Sequence, residues 1–335
     1  MDDPEGFLRD MKGRLVIIDE IHRLANPSEL LKIAADHFPD TSVVATGSST
    51  LGASAKFRDT LAGRKHELWL TPIMSEDLTD FGTEDMRRRF LHGGLPQFFL
   101  SDSFPERDFQ EWLDGYWARD IQELFRLERR HSFQRFLELL LAQSGGIFEA
   151  SRFAAPCEVS RTTIANYLTV LEATFAVHIV RPFAGRRHAE VVSAPRVYGF
   201  DTGFACYFGG RYQLRAEDMG LMWEHVVLNE LHARLQSRDV FYWRDKRGHE
   251  IDFVLAPRGN PPVAVECKWR ADEFDPKNLK IFRKHYPEGK SVVAAADVDR
   301  EFVRSYGDME VSFVGLRGVA AAVLSRSGLA ANTAN

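Results

Sequence analysis

An unbroken apolar run, Leu15-Val16-Ile17-Ile18, ends in two adjacent carboxylates, Asp19 and Glu20. A strand with apolar residues pointing both ways needs cover on both faces, which suits a parallel strand inside an α/β layer. A second such run, residues 42–46, ends at Gly47-Ser48-Ser49, and a third, residues 68–73, follows a polar stretch. A helical pattern over 27–37 lies between the first two. Strand, helix, strand is the rhythm of an α/β structure.

At 335 residues the chain has room for two or three domains. Its hydrophobic (44%) and charged (27%) fractions are those of a soluble folded protein. A net charge of -5 excludes a chain coated in nucleic acid along its whole length but leaves room for local basic faces. Cys157, Cys206 and Cys267 are far apart and odd in number, so neither a disulfide framework nor a zinc site can be built from them. No apolar run reaches bilayer length, and MDDPEGFLRDMKGR at the N-terminus has no signal-peptide core. These features predict a cytoplasmic protein without a membrane partner.

From 109 to 142 the pattern is helical and highly charged, with Arg126, Arg129, Arg130 and Arg135 close together. Helices are expected at about 133–144 and 150–155, and a third begins at Ser160, a suitable N-cap, with Ile164, Leu168 and Leu171 on one face. Two β-like pieces, 176–182 and 196–200, flank the basic turn Gly185-Arg186-Arg187-His188. This is the pattern of a helix-turn-helix with a wing. Arg161 at the third helix's start and Arg186 and Arg187 on the wing are candidate DNA contacts. A winged helix serving only as a spacer or partner surface has the same pattern.

Beyond 210 a helix over 219–236 leads into strands at 240–244, 250–256 and 262–268, then a helix at 277–285 and a strand at 291–295. Asp252 and Glu266 are 14 positions apart, and Lys268 lies two beyond Glu266 on the same strand face. Asp followed by Glu-x-Lys on the next strand resembles the motif of the restriction-endonuclease fold. Two carboxylates can hold Mg²⁺ or Mn²⁺ against a phosphate oxygen while the ammonium orients the attacking water. Glu224, on the preceding helix, resembles the extra acid that completes such sites. A simple surface pair of Glu266 and Lys268 is the competing reading. His22, His92, His178 and His225 lack ligand spacing and are read as packing or surface residues, and Cys267 as packing.

The segments VIIDEIHRL, VVATGSS and LAGRKHELWLTPI resemble the acid-bearing strand, sensor strand and Gly-Arg segment of prokaryotic AAA-type ATPases with a C-terminal domain of unknown function. HGGLPQFFL, YWARDIQELF, RVYGFDTGFACYF and YWRDKRGHEIDFVL resemble the same family in the same order, so the likeness runs from about 15 to about 315. It implies ATP and Mg²⁺ as cofactors. Asp19 matches the magnesium acid and Glu20 the catalytic acid. Ser48 falls at the sensor position, with Thr46 and Ser49 competing, and Arg64 falls at an arginine that can reach a neighbouring subunit's phosphate.

The family's G-x-x-x-x-G-K-[ST] loop occurs nowhere in this sequence. Only 18 residues precede Asp19, whereas the missing elements need roughly 60–80. Binding of ATP by this chain alone is therefore not expected. Either the chain is an N-terminally truncated form of a longer protein, the favoured reading, or its ATPase core is a decaying remnant. The expected fold is α/β: an incomplete P-loop (AAA-type) parallel sheet over 1–103, a helical linker and winged helix over 104–210, a restriction-endonuclease-like domain over 211–324 and a disordered tail over 325–335. Three functions follow as alternatives: a DNA-linked member of the ATPase family, a Mg/Mn-dependent DNA endonuclease, and a non-catalytic DNA- or protein-binding remnant. DNA, a second copy of the chain and another protein are the candidate partners.

Overall fold

The computed structural model describes residues 3–47, 61–125, 127, 129–183, 194–256 and 259–324. Ser48, Arg186, Arg187 and the tail lie outside the described residues. The principal elements are α1 (Pro4–Asp10), β1 (Leu15–Ile18), α2 (Pro27–His37), β2 (Ser42–Ala45), α3 (Met86–His92), α4 (Glu106–Tyr116), α5 (Arg130–Ala142), β3 (Gly146–Ile147), α6 (Ala150–Ala154) and α7 (Arg161–Ala173). They continue with β4 (Val177–Pro182), β5 (Arg196–Gly199), α8 (Thr202–Phe208), α9 (Ala216–Leu235), β6 (Val240–Arg244), β7 (Glu250–Leu255) and β8 (Val263–Lys268). The last are α10 (Lys277–His285), β9 (Ser291–Ala295), β10 (Phe302–Tyr306), β11 (Met309–Val314) and α11 (Leu316–Leu324). They form two compact units, one of residues 1–68, 110–136 and 150–177, the other of 69–109, 137–149 and 178–335.

In the first unit β1 and β2 pair in parallel, Leu15 opposite Ser42 through Ile18 opposite Ala45. The helices α1 and α2 bury Leu8, Leu30 and Ala34 against Ile18 and Val43. Leu15 (62%) and Ile17 (68%) on the other face are exposed, so the two-sided burial expected of this strand is met on one side only. In the same unit Ser160 caps α7, accepting from the Thr163 N–H at 3.1 Å. Tyr167 of α7 packs edge-on against Phe133 of α5, and Phe136 meets Phe153 of α6 in the same way.

The run at 68–73, expected as a third strand, is not one. Leu70 is 98% exposed, the Trp69 N–H is taken by the Gln236 side chain at 2.7 Å, and Pro72 has no N–H to give a ladder. Ile73 instead donates to the Gly94 carbonyl at 2.7 Å.

The second unit holds a mixed sheet in the order β10-β11-β9-β8-β7-β6-β4-β5-β3. The pairs β8–β9, β9–β11 and β4–β6 are parallel, and β6–β7 and β7–β8 antiparallel. Its central strands are apolar in both directions because both faces are covered. Along β8, Val263 and Val265 pack with Trp223 and Val227 of α9 and Val319 of α11, while Ala264 packs with Leu279 and Phe282 of α10. In β7 the register slips from Phe241–Val254 to Trp243–Ile251, so Asp252 and Phe253 together face the single residue Tyr242. Such a bulge turns a side chain out of the regular alternation.

A buried ion pair joins two distant segments of this unit. Arg89 of α3, 1% exposed, donates to the Ile73 carbonyl (3.1 Å) and Thr202 Oγ1 (3.0 Å) and lies 3.9 Å from Asp201. Asp201 accepts from the Gly94 N–H (2.6 Å) and the Gly203 N–H (2.8 Å). Gly93, at φ +81°, has no room for a side chain, since a Cβ would stand 2.0 Å from Asp201 Oδ1. Asp201→Ala should cost about 3–5 kcal/mol by leaving the guanidinium buried without its counter-charge. Urea unfolding measures this; a loss under about 1 kcal/mol would mean the pair is dispensable.

Candidate functional site

At the end of β1, Thr46 Oγ1 donates to Asp19 and accepts from the Glu20 N–H at 3.1 Å. Backbone bonds from Thr46 N–H to Ile18 (2.9 Å) and from Ile21 N–H to Thr46 (3.0 Å) extend the pairing past both strands. Of the hydroxyls weighed for the sensor position, Thr46 is thus in contact with Asp19, while Ser48 and Ser49 are outside the described residues. Glu20 takes a left-handed conformation, φ 50°, and places its carboxylate 3.1 Å from His22 Nδ1. Arg64 faces Asp36 of α2 at 2.7 Å, and this hydrogen bond holds the Asp36 carboxyl below its ordinary pKa.

The denser constellation lies where α9, β5, β7 and β8 converge. Continuing the β7–β8 register past Phe253–Val265 sets Asp252 opposite Glu266. Asp252 Oδ2 accepts from the Cys267 N–H at 2.7 Å, and Glu266 Oε2 accepts from Lys268 Nζ at 3.0 Å. Glu266 is 4% exposed, and its other oxygen is buried without a partner. Glu224 Oε1 accepts from both Arg196 (2.9 Å) and the Tyr198 hydroxyl. The second arm of Arg196 binds Glu250, its guanidinium lies 5.4 Å from the Tyr242 ring centre, and Arg244 stands 3.6 Å from Glu250.

Crowding of acids out of water sets the electrostatics. Burial and then the Asp252 charge push Glu266 up to about 8. The same two causes, opposed by Arg196 and Tyr198, put Glu224 at about 7. Lys268 is raised: burial works against its charge, but Asp252 and Glu266 outweigh it. Asp252 is therefore the shared neighbour, with Glu266 and Lys268 in contact with each other and Glu224 in its field. Cys267 sits in the apolar cluster with Trp223 and Val265.

Arg196, Tyr198 and Glu250 did not emerge from the sequence as site residues. Arg196 and Tyr198 occur two apart on a short strand, which puts both on one side, and that was the available signal. Arg161, at the start of α7, is exposed; Arg186 and Arg187 are outside the described residues. Among the described residues no group of three or more His, Cys, Asp or Glu side chains is placed to hold a metal ion. Asp252 and Glu266 each have one oxygen anchored, and the other oxygen of Glu266 is buried and unsatisfied; Glu224 is held apart by Arg196 and Tyr198. No helix among the described residues is long and apolar enough to cross a membrane.

Residues 2–79 match the AAA domain family, 83–215 a Domain of unknown function (DUF8612) and 219–311 a Domain of unknown function (DUF4143). The N-terminal segment is thus of AAA type and is followed by domains of unknown function. An uncharacterised protein of Mycobacterium tuberculosis is 28% identical over 269 residues, covering 77% of this chain and 59% of the relative, as is one of Mycobacterium bovis. The chain therefore spans about three-fifths of the length of these relatives. An uncharacterised protein of Haemophilus influenzae is 22% identical over 288 residues, covering 81% and 70%. A solved half-complex of Thermococcus gammatolerans McrB AAA+ hexamers with bound McrC matches with 9% identity over 83% of this chain and 75% of that one. Its TM-score of 0.26 is too low to inform the fold or function.

The raised carboxylates give a signed pH dependence. A folded-state pKa above the ordinary 4.5 means the folded protein holds protons that the unfolded chain releases. Their contribution is fully present below about pH 4.5 and is lost as pH rises through about 7 and 8, at up to about 1.4 kcal/mol per pH unit for each proton. Glu266→Gln, neutral throughout, should flatten the fall in urea stability between about pH 5 and 8; an unchanged slope would show that Glu266 titrates normally.

Proposed function

We propose that the chain is a DNA-linked member of the AAA-type ATPase family whose residues 1–335 do not by themselves hold nucleotide. The observation carrying this reading is the contact of Asp19 and Glu20 with Thr46 at the ends of a parallel strand pair, in a segment matching an AAA domain. Asp19 would hold the magnesium of MgATP and Glu20 would polarise water, with Ser48 and Arg64 in supporting roles. The residues present do not fit the nucleotide alone, because no lysine-bearing phosphate loop occurs in the sequence. Three helices followed by β4 and β5 would form a winged helix, with Arg161, Arg186 and Arg187 against the phosphate backbone. Calorimetric titration of residues 1–335 with MgATP should give no micromolar binding. Micromolar affinity that Asp19→Asn removes would overturn this reading.

A second reading, a Mg²⁺- or Mn²⁺-dependent DNA endonuclease, is favoured by the unsatisfied buried oxygen of Glu266 beside Asp252 and Lys268. Asp252 and Glu266 would hold the ion, with Glu224 as the accessory acid. A bound ion would polarise a phosphate oxygen and acidify water. Lys268, held charged by both acids, would stabilise negative charge at the phosphate. Incubated with Mn²⁺ and single- or double-stranded DNA, the full chain should cut, and Asp252→Asn or Glu266→Gln should abolish cutting. Lys268→Met should slow it at least about 10²-fold while Mn²⁺ still binds. Neither cutting nor Mn²⁺ binding would leave a non-catalytic DNA- or protein-binding module.

A further inference from the structure

Glu224 is the acid expected to complete the set with Asp252 and Glu266, yet no three acids share a metal position among the described residues. What holds Glu224 is unambiguous. Arg196 Nη1 lies 2.9 Å from its Oε1, and the Tyr198 hydroxyl donates to the same oxygen. The other arm of Arg196 binds Glu250, so one planar fork bridges two carboxylates, a geometry lysine cannot reproduce. The Arg196 side chain is only 13% exposed, and its Nε is buried with no partner. The hold of Arg196 on Glu224 therefore runs through Nη1 alone, with Nη2 committed to Glu250, and the stem is not tied by a third bond.

We infer that Arg196 is a positioning residue that keeps Glu224 off the Asp252–Glu266 pair, acting as an internal cation in place of the third ligand's metal. This rests on the metal reading above and concerns how that site is regulated. Two physical effects act in the same direction. The guanidinium commits an oxygen of Glu224, and its charge opposes the arrival of a second cation nearby. The buried, unsatisfied Glu266 oxygen marks where the cation deficit remains, at the other end of the set. A divalent ion would gain its third carboxylate only when Arg196 releases Glu224, and a ligand carrying negative charge, such as a nucleic-acid phosphate, is the chemistry that would draw the guanidinium away.

The test is Mn²⁺ binding to the full chain by calorimetry, with thermal melting as a check on folding. Arg196→Met should bind Mn²⁺ roughly tenfold tighter than the native protein, the scale of one charge-assisted hydrogen bond released. Adding Glu224→Gln to that variant should abolish the gain. A purely structural role for Arg196 would move the melting temperature and leave Mn²⁺ affinity alone, and unchanged or weaker binding in folded Arg196→Met overturns the inference. Should that variant fail to fold, Tyr198→Phe keeps every charge and removes the second donor to Glu224 together with the acceptor that the hydroxyl offers Arg196 Nη1 at 3.2 Å. A tightening of a few-fold is expected there, and no change overturns the inference. Mn²⁺ bound equally by native protein and variants sinks the latch but keeps the metal reading; no Mn²⁺ bound by any of them sinks both.

Discussion

The buried pair of Arg89 and Asp201 fixes the geometry on which the second unit's site depends. Asp201 lies two residues beyond the end of β5, and its carboxylate accepts the N–H groups of Gly94 and Gly203 while facing the guanidinium. The exit of β5 is thereby set against α3, which determines where Arg196 and Tyr198 on that strand can reach. Those two side chains in turn clamp Glu224 on α9. Net stabilisation by the pair is small once desolvation is counted, but leaving either partner alone is costly, so it acts chiefly as a constraint on arrangement.

Four acids, Glu224, Glu250, Asp252 and Glu266, are gathered with Arg196, Arg244 and Lys268 at one end of the sheet. Charges at these depths persist only when paired. Arg196 bridges two of the acids and Lys268 serves a third, while Asp252 uses a backbone N–H. What is left over is one oxygen of Glu266 with no donor. Protonation answers this deficit below about pH 8, since burial beside Asp252 raises Glu266. A cation would answer it at higher pH. The bulge at Asp252 matters here, because a regular β7 would aim that carboxylate by strict alternation.

Much of the second unit was legible in the sequence. Strands read at 240–244, 250–256 and 262–268 lie at Val240–Arg244, Glu250–Leu255 and Val263–Lys268, since apolar runs bounded by turn residues leave few alternatives. Ser160 as a cap was legible because its hydroxyl precedes a clean helical stripe. Residues 68–73 misled: their composition is that of a strand, but Pro72 and the Gln236 side chain decide against a ladder. The Arg89–Thr202 contact spans 113 residues, and no local pattern announces it. Asp252, Glu266 and Lys268 were named from their spacing on successive strands and its resemblance to the restriction-endonuclease motif. Arg196 was not, because its role exists only once β5 lies beside α9.

The two ends of the chain present opposite electrostatic situations, and that difference separates the two functional readings. At β1 each acid has a neutral or weakly basic partner among the described residues, Thr46 for Asp19 and His22 for Glu20. At β8 one oxygen of Glu266 is buried without a partner, and either a proton or a cation can answer it. A buried carboxylate short of a partner costs free energy in every folded molecule, and a fold that keeps one carries it against the stability of the domain. That cost is the physical reason to look for a ligand at Glu266 first.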